Sequence, residues 1–241
     1  MSRVLVVMPT YNEIKNVHTM LDRIHASTPD VEVLVVDDNS PDGTGIAVEK
    51  RSQSESWIHV LRRPGKGGLG AAYRAGFEWG IENGFEFLVE MDADGSHQPE
   101  QLPLLLEASK TADLVLGSRW IKGGSVVNWP TSRKILSLGG NLYTRLMLGI
   151  HIKDATGGYR VFKTETVHAI KMLERGTQGY IFQVENTYQA VRRRLKVVEV
   201  PIEFVERVNG VSKMSQAIVI EALTRVTIWG FKNRILRKSI D

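Results

Sequence analysis

Two carboxylates spaced two residues apart, Asp92 and Asp94, are the side chains in this sequence with the clearest potential for chemistry. They follow residues 87–91, a mainly apolar run that is typical of a buried strand. Carboxylates on a loop after such a strand can turn toward one hard cation. Mg²⁺ or Mn²⁺ prefers oxygen ligands of this kind and leaves coordination positions open for phosphate. The pattern predicts a divalent-metal site, with an ordinary acidic turn as the alternative.

A second acidic pair, Asp37-Asp38, follows another mainly apolar run at residues 31–36. One of these carboxylates can bind a base or a ribose hydroxyl, while the other can cap the turn and helix that begin at residues 41–44. Capping alone is the alternative for either residue. The pair therefore indicates a second polar site at the end of a strand.

The glycine-rich segment at residues 65–70 has the outward look of a phosphate-binding loop. Its Lys66 comes too early for the GxxxxGK[ST] pattern, and no Ser or Thr follows. We interpret the segment mainly as a flexible lead-in to a helix that runs to about residue 83, and a phosphate cradle is the less favoured alternative.

Histidine offers one further candidate. His97 adjoins the acidic loop and is a candidate metal ligand or substrate contact, with a solvent-exposed side chain as the alternative. The six histidines of the chain form neither an HExxH pair nor a Ser-His-Asp set, so these two kinds of hydrolase site are not indicated.

Cations in the second half of the chain are candidates for binding phosphate. Arginine pairs with phosphate bidentately, and lysine acts as a point charge. Each of these residues follows a strand end or lies in a loop-like context, and an ordinary surface charge is the alternative for each: Arg119, Arg133, Arg207 and Lys213.

The elements that must position these residues alternate along the first half of the chain. Apolar runs predict strands over residues 4–8, 31–36, 58–61, 85–91 and 113–116. Apolar residues at a helical period predict helices over residues 13–25, 46–54, from the glycine-rich segment to about 83, and 99–110. This alternation predicts an α/β fold with an open, mostly parallel sheet, whose ligands bind at the carboxyl ends of the strands.

The pattern changes after Gly117. A helix is predicted over residues 134–148, strands over 161–162, 196–200 and 202–205, and a long apolar helix over 215–236. Pro201 between the last two strands indicates a sheet edge or a bulge. With no low-complexity linker, we predict one domain over residues 1–213 and a helical extension over residues 214–241.

Composition supports a globular chain. The chain has 241 residues, of which 42% are hydrophobic and 24% charged, and it contains no cysteine, which excludes disulfides and thiolate metal sites. The longest run without Asp, Glu, Lys or Arg has about ten residues, well short of the ~18 that a membrane-spanning helix needs. Residues 1–8 lack the pattern of a signal peptide, so a cytoplasmic location is expected.

The net charge of +4 is concentrated near the end of the chain. An anionic membrane surface suits such a segment, and a solvated basic helix end is the alternative. Nucleic acid is not expected, because aromatic and basic residues do not interleave. The basic residues are Arg225, Lys232, Arg234, Arg237 and Lys238, opposed by Asp241.

Seven motifs occur in order along almost the whole chain: PTYNE at 9–13, VDDNSPDGT at 36–44, MDADGSH at 91–97, GSRW at 117–120, DATGGYR at 154–160, GYIFQVE at 179–185 and VPIEFVER at 200–207. Together they resemble glycosyltransferase family 2, which has the GT-A fold. More narrowly they resemble the dolichol- or polyprenol-phosphate mannose synthases, above all the actinobacterial catalytic domains. Gly95 and Gly157 depart from the family pattern without removing a charge.

The resemblance implies a role for each matching position. GDP-mannose would be held by Pro9, Tyr11, Glu13, Val36, Asp38, Asp92, Ala93, Asp94, Arg119, Arg207 and Lys213. The metal would be held by Asp92 and Asp94, with Asp94 the firmer ligand. Ser96 would join them, although it stands where relatives often have Gln. The acceptor phosphate would be held by Arg119, Arg133 and Ser137.

The implied activity is inverting transfer of mannose from GDP-mannose to dolichyl or polyprenyl phosphate, with Mg²⁺ or Mn²⁺, giving polyprenyl β-mannosyl phosphate and GDP. A phosphate monoester has a second pKa of about 6, so this nucleophile needs no general base near neutral pH. The alternatives are transfer from UDP-glucose to the same acceptor, and a non-catalytic nucleotide-sugar-binding module.

A lipid acceptor implies peripheral association with the cytoplasmic face of a membrane, with or without a membrane-anchoring protein partner. The helix over residues 215–236 is expected either to pack on the domain or to lie in the membrane interface, anchored by Trp229 and its basic end. The second expected lipid contact is the helix over residues 134–148, through Leu136, Leu138, Leu142, Leu146 and Leu148.

Overall fold

A computed structural model of the chain describes residues 2–177, 179–207 and 216–238, and within them it has nine strands and eight α-helices. The strands are β1 (Val4–Thr10), β2 (Glu32–Asp37), β3 (Ile58–Arg62), β4 (Phe87–Glu90), β5 (Leu114–Ser118), β6 (Ser125–Val127), β7 (Arg160–Lys163), β8 (Val197–Pro201) and β9 (Glu203–Val205). The helices are α1 (Val17–Ser27), α2 (Thr44–Ser52), α3 (Leu69–Glu82), α4 (Leu102–Ser109), α5 (Thr131–Leu148), α6 (Thr164–Ala169), α7 (Gly179–Arg192) and α8 (Gln216–Lys238).

Seven strands form one sheet in the order β3-β2-β1-β4-β7-β5-β8. β7 runs antiparallel to both of its neighbours, and every other neighbouring pair is parallel. β6 and β9 pair in a separate ribbon. The predicted α/β fold with a mostly parallel sheet is confirmed, and Pro201 ends β8 at the sheet edge, where a residue without an N–H is tolerated.

Strand β1 is held by apolar cores on both of its faces. Leu5 and Val7 belong to the core on the side of α3 and α7, whereas Val6 and Met8 belong to the core on the side of α1 and α4. All four side chains are fully buried. Burial of each contributes roughly 1.5–3 kcal/mol, so the strand and the loop that follows it are firmly placed.

The predicted elements are found with shifted ends. Helix α1 begins at Val17 rather than at residue 13, and β4 covers only Phe87–Glu90. The predicted helix over residues 99–110 is a 3₁₀ turn at Pro99–Gln101 followed by α4, which has Pro103 in its first turn. Strand β6 and helices α6 and α7 were not predicted.

Helix α8 packs on α5 and α7 along one face. A Cβ at Gly230 would lie 2.6 Å from the carbonyl oxygen of Met147, so only glycine permits this approach of the helices. The Trp229 ring stacks on Tyr188 with centroids 6.1 Å apart, which agrees with the expectation that the helix packs on the domain, and a role of Trp229 at a membrane stays a prediction. The predicted boundary between residues 213 and 214 falls outside the described residues and stays a prediction.

No helix in the described residues is long and apolar enough to cross a membrane. Several large apolar side chains on α5 and α8 are nevertheless exposed, which makes these two helices an apolar face of the molecule. Its members are Ile135, Leu136, Leu138, Leu142, Leu146, Ile220, Leu223, Ile228 and Phe231. Leu148, predicted to belong to this face, is buried instead.

Candidate active site

The carboxyl ends of β2, β1 and β4 lie side by side at one edge of the sheet. The segments that follow these parallel strands therefore line the same edge, as the sequence predicts. The first two segments are joined directly: the Asn12 N–H donates to Ser40 Oγ at 3.1 Å, and the Glu13 N–H donates to Thr44 Oγ1 at 3.0 Å.

The two carboxylates after β2 have different partners. Asp37 is buried and supports the turn, because its Oδ1 accepts a hydrogen bond from Ser40 Oγ at 2.5 Å. Asp38 faces the segment between β3 and α3 instead, where its Oδ1 accepts from Arg63 Nη1 at 2.5 Å and its Oδ2 accepts from the Gly67 N–H at 3.1 Å. The glycine-rich segment thus leads into α3, as interpreted. Asp38 accepts a hydrogen bond from this segment just before the helix begins.

The other predicted nucleotide-binding residues lie around the same loops. Pro9 is the second-last residue of β1, and Lys66 Nζ lies 4.5 Å from the centroid of the Tyr11 ring. The Glu13 carboxylate accepts a hydrogen bond from Asn16 Nδ2 at 2.8 Å. Val36 is fully buried in the core, so only its backbone can face a ligand.

The acidic loop after β4 presents two carboxylates in unlike surroundings. Asp92 Oδ1 accepts a hydrogen bond from the Tyr73 hydroxyl at 3.2 Å. Asp94 Oδ1 accepts from the Ser96 N–H at 3.0 Å, and its Oδ2 lies 3.1 Å from Arg207 Nη1. Ala93 between them is buried, and Gly95 has a φ of +79°, which permits the tight turn.

These surroundings shift the two pKa values in opposite directions. Burial raises the pKa of Asp92 above its usual value, and the nearby His97 only partly offsets this effect. Burial also acts to raise the pKa of Asp94, but contacts with Ser96 and the charge of Arg207 outweigh it and leave that pKa lowered. Asp94 is therefore the carboxylate held most firmly in its charged form.

His97 is buried, so the alternative of a solvent-exposed histidine is wrong. Its Nδ1 accepts a hydrogen bond from the Asp92 N–H at 3.0 Å, and its ring stacks on Tyr159 with centroids 4.9 Å apart. The nitrogen nearest the acidic loop is thus committed to the backbone, and His97 orients the loop rather than offering that nitrogen to a metal.

The residues of the loop fit a divalent cation whose remaining ligands come from a substrate. In the described part of the chain, no cluster of three or more His, Asp or Glu side chains could hold a metal. Asp92 and Asp94 supply two carboxylates, and the buried Ser96 Oγ makes no hydrogen bond, which leaves an oxygen available beside them. Mg²⁺ is commonly held by one or two carboxylates together with phosphate oxygens.

A further carboxyl group lies at the end of β4, directly before the acidic loop. Glu90 is fully buried, two residues before Asp92, and its carboxylate oxygens make no hydrogen bond in the described structure. Burial raises its pKa to about 7, although the guanidinium of Arg160, 3.9 Å away, acts to lower it. With this pKa, Glu90 is only partly ionised near neutral pH.

Arg119, predicted to contact phosphate, is paired with a carboxylate. Its Nε and Nη2 donate to the two oxygens of Asp154 at 2.7 and 2.6 Å, and both side chains are buried. Burial acts to raise the pKa of Asp154, but Arg119 outweighs it and the pKa is lowered. The positive charge of Arg119 is therefore balanced inside the protein, and its role toward phosphate stays a prediction.

Arg133 and Arg207 come together through Glu206. Arg133 Nη1 forms an ion pair with Glu206 Oε2, and Glu206 Oε1 lies 3.9 Å from Arg207 Nε. The Arg133 guanidinium also lies 4.0 Å from the centroid of the Trp129 ring. Arg207 thus contacts the acidic loop at Asp94, and Arg133 is connected to it through Glu206.

The remaining predicted site residues are Ser137 and Lys213. The Ser137 hydroxyl accepts a hydrogen bond from Trp120 Nε1 at 3.2 Å, one turn along α5 from Arg133. Lys213 lies outside the described residues.

Residues 5–170 match the family model for glycosyl transferase family 2. The chain belongs to glycosyltransferase family 2. It is 54% identical over 232 residues to an undecaprenyl-phosphate mannosyltransferase of Micrococcus luteus, covering 96% of each chain. It is 47% identical over 237 residues to a polyprenol monophosphomannose synthase of Mycolicibacterium smegmatis, covering 98% of this chain and 89% of that one.

Solved structures give the fold of this family 2 glycosyltransferase. A mannosyltransferase of Pyrobaculum calidifontis, in complex with GDP-Man and Mn²⁺, aligns with a TM-score of 0.59 at 19% identity. The alignment covers 97% of this chain and 64% of that one. The likeness confirms the GT-A fold.

The family 2 glycosyltransferase also has a groove along α5. A cavity of about 430 Å³ opens between α5 and the segment that carries Trp120. Apolar side chains form most of its wall, and two cations lie at its margin. The lining residues are Trp120, Ile135, Leu138, Gly139, Asn141, Leu142, Arg145 and Lys153.

Four residues of this glycosyltransferase were not assigned roles from the sequence. Tyr73 contacts Asp92, Asp154 balances Arg119, and Glu206 and Trp129 contact Arg133. Asp154 and Glu206 stand inside motifs that carry the family resemblance, and that position was the available signal. Trp129 and Tyr73 had no comparable signal.

Proposed function

We propose that this protein transfers mannose from GDP-mannose to polyprenyl or dolichyl phosphate with inversion, using Mg²⁺ or Mn²⁺, and releases polyprenyl β-mannosyl phosphate and GDP. The observation that carries the proposal is an apolar groove along α5, the helix that also carries Arg133, whose partner Glu206 lies beside Arg207 at the acidic loop. An acceptor with an anionic head and an apolar chain suits this arrangement. The mannosyltransferases of Micrococcus and Mycolicibacterium support the choice of sugar and acceptor.

The nucleotide sugar is proposed to bind along the edge formed by β2, β1 and β4. Asp38 and Tyr11 lie at the nucleoside end, and Asp92 and Asp94 lie where the diphosphate would reach them. A divalent cation held by these two carboxylates, with Ser96 as a third oxygen, would neutralise charge on the leaving diphosphate. Arg207, already at Asp94, adds a positive charge on the same side.

The acceptor phosphate is proposed to bind at Arg133 and Ser137, with Arg119 behind them. The phosphate monoester is largely dianionic near neutral pH, so one of its oxygens can attack the anomeric carbon without a catalytic base. The bond from that carbon to the diphosphate breaks as the new bond forms on the opposite face, which gives the β product. The role of these cations is to hold two anions in line.

The apolar chain of the acceptor is proposed to run along α5 toward the exposed side chains of α5 and α8. These side chains would then meet the membrane that holds the acceptor, so the protein would associate peripherally with its surface. The basic residues near the end of the chain suit anionic lipids.

Product formation with defined donors tests the proposal. Purified protein is incubated with Mg²⁺ or Mn²⁺, a short polyprenyl phosphate and either GDP-mannose or UDP-glucose, and the lipid product is identified by mass spectrometry. We expect mannosyl phospholipid from GDP-mannose alone, and none after chelation of the metal. Product from UDP-glucose alone would reject mannose, and binding of GDP-mannose without turnover would indicate a nucleotide-sugar-binding module.

The acceptor assignment is tested in the same assay with Arg133→Gln. This variant keeps a polar but shorter side chain, which cannot form a charged fork with phosphate. We expect turnover to fall by about a hundredfold, while the Kd for GDP-mannose measured by calorimetry stays unchanged. An equal loss of donor affinity would contradict the acceptor role.

A further inference from the structure

Glu206 connects the acidic loop to the proposed acceptor arginine through an alternating row of charges. Asp94 Oδ2 lies 3.1 Å from Arg207 Nη1, Arg207 Nε lies 3.9 Å from Glu206 Oε1, and Glu206 Oε2 forms an ion pair with Arg133. The two arginines thus share one carboxylate. A change of partner at either end of this row alters the charge that Glu206 faces.

Two backbone hydrogen bonds fix the chain that leads into Glu206. The Glu206 N–H donates to the carbonyl of Val127 at 3.0 Å, and the Val205 N–H donates to the carbonyl of Ser96 at 3.2 Å. The side chains themselves remain partly accessible, with 25% of Glu206 and 16% of Arg133 exposed. A ligand can therefore reach the ion pair while β9, which directly precedes Glu206, stays in place.

The Glu206 carboxylate occupies Nη1 of Arg133, one of the N–H groups through which arginine pairs with phosphate. The Trp129 ring covers a face of the same guanidinium. An acceptor phosphate that pairs with Nη1 must therefore displace Glu206 from Arg133. Glu206 is not left unpaired when this happens, because Arg207 lies on its other oxygen.

We propose that Glu206 is a positioning residue that makes acceptor binding depend on the state of the acidic loop. While Arg207 pairs with Asp94, Glu206 remains on Arg133 and opposes phosphate binding. If Asp94 held a cation, Arg207 would lose this partner, pair fully with Glu206 and leave Arg133 free for the phosphate. The inference rests on the proposed function, since it takes Arg133 as the acceptor site and Asp94 as a metal ligand.

Calorimetry with a soluble acceptor analogue measures this coupling without turnover. The Kd of geranyl phosphate is determined with and without Mn²⁺ and GDP, for the wild type, Glu206→Gln, Glu206→Ala and Glu206→Asp. In the wild type we expect Mn²⁺ and GDP to tighten binding. In the Gln and Ala variants we expect tighter binding than wild type without Mn²⁺ and GDP, by about fivefold, and little further gain on adding them.

Two comparisons decide the outcome. Glu206→Asp keeps the charge and should keep the coupling. Glu203→Gln, at an exposed position in β9 just before Glu206, should behave as the wild type. A purely structural Glu206 predicts weaker binding in all variants, so weaker or unchanged binding in the Gln and Ala variants would overturn the inference.

Failure of the proposed function itself would look different. If Arg133→Gln bound geranyl phosphate as well as the wild type does, the acceptor site would lie elsewhere and both assignments would fall. If Arg133→Gln lost binding and the Glu206 variants changed nothing, only the inference about Glu206 would fall.

Discussion

Asp94 and Asp92 differ in how they would serve a metal. The lowered pKa of Asp94 keeps this carboxylate ionised even in mildly acidic solution, whereas burial works against ionisation of Asp92. The pairing with Arg207 shows that the Asp94 position already attracts a cation. Asp94 is therefore expected to contribute more than Asp92 to holding a divalent ion.

Replacing Asp94 by Asn tests this difference. The amide keeps the shape of the side chain but loses the charge, and it leaves Arg207 without its partner on the acidic loop. We expect mannosyl transfer to fall by about a hundredfold or more and the concentration of Mn²⁺ needed for half-maximal activity to rise. Metal-dependent activity is measured by titrating Mn²⁺ at fixed substrate concentrations.

The matched control is Asp30→Asn, which also removes one carboxylate but lies just before β2, at the opposite edge of the sheet. It should leave the Mn²⁺ titration unchanged. Near-wild-type activity in the Asp94→Asn variant would refute the metal assignment.

At the residue level, the sequence predicts groups that occur next to one another and misses those that meet only in three dimensions. Asp92 and Asp94 could be identified because both stand on one loop after one strand. The pair Arg119 and Asp154 is separated by 35 residues, and 73 residues separate Arg133 from Glu206. Nothing in local spacing shows that these arginines have carboxylate partners, so both were predicted to be available for binding phosphate.

At the level of elements, the contact between α5 and α8 depends on Gly230. A Cβ there would lie 2.6 Å from the Met147 carbonyl oxygen, and the backbone on both sides restricts relief of this overlap. Gly230→Val is therefore expected to lower the free energy of unfolding by about 1–3 kcal/mol, through strain between the two helices. Urea unfolding followed by circular dichroism measures the change.

Gly140→Ala is the control for this prediction. Gly140 lies within α5, and a Cβ there would meet nothing within 4 Å. The free energy of unfolding should rise by about 0.5–1 kcal/mol, because alanine favours the helix more than glycine does. A Gly230→Val variant as stable as the wild type would show that α8 does not depend on this close contact.

The sequence predicts most of the sheet but not the direction of β7. Parallel strands of the first half are recognisable as apolar runs separated by helices. Arg160–Lys163 is equally apolar at its centre, and a buried strand has the same pattern in either direction, so its antiparallel pairing could not be foreseen. Helix ends were shifted where turns precede the first hydrogen-bonded residues, as at Val17 and Leu102.

On the scale of the whole molecule, the two adjoining helices α5 and α8 both carry exposed apolar side chains, the apolar face defined above. If this face meets a lipid surface, Leu136→Glu combined with Leu146→Glu should lower binding to phosphatidylglycerol vesicles by about tenfold or more, since each change replaces buried apolar area with a charge. Both leucines lie outside the groove lining, so the Kd for GDP-mannose should not change. Vesicle sedimentation measures the partition.

Ile46→Glu provides the comparison, because Ile46 is 64% exposed and belongs to α2, whose neighbours are β2, β3 and α1 rather than α5 or α8. This variant should sediment with vesicles as the wild type does. An equal loss of vesicle binding in this variant and in the double leucine variant would mean that the net charge of the protein, and not the apolar face of α5 and α8, governs attachment.

The position of β7 between β4 and β5 has a consequence for how the chain is synthesised and folded. Strands β1 to β4 can pair with one another once residue 90 has been made, but the open edge of β4 has no partner until residues 160–163 arrive. Strand β5 is made earlier than β7, yet it can join the strands already paired only through β7. For about seventy residues of synthesis, the nascent protein therefore carries an unpaired strand edge, the kind of surface that promotes aggregation.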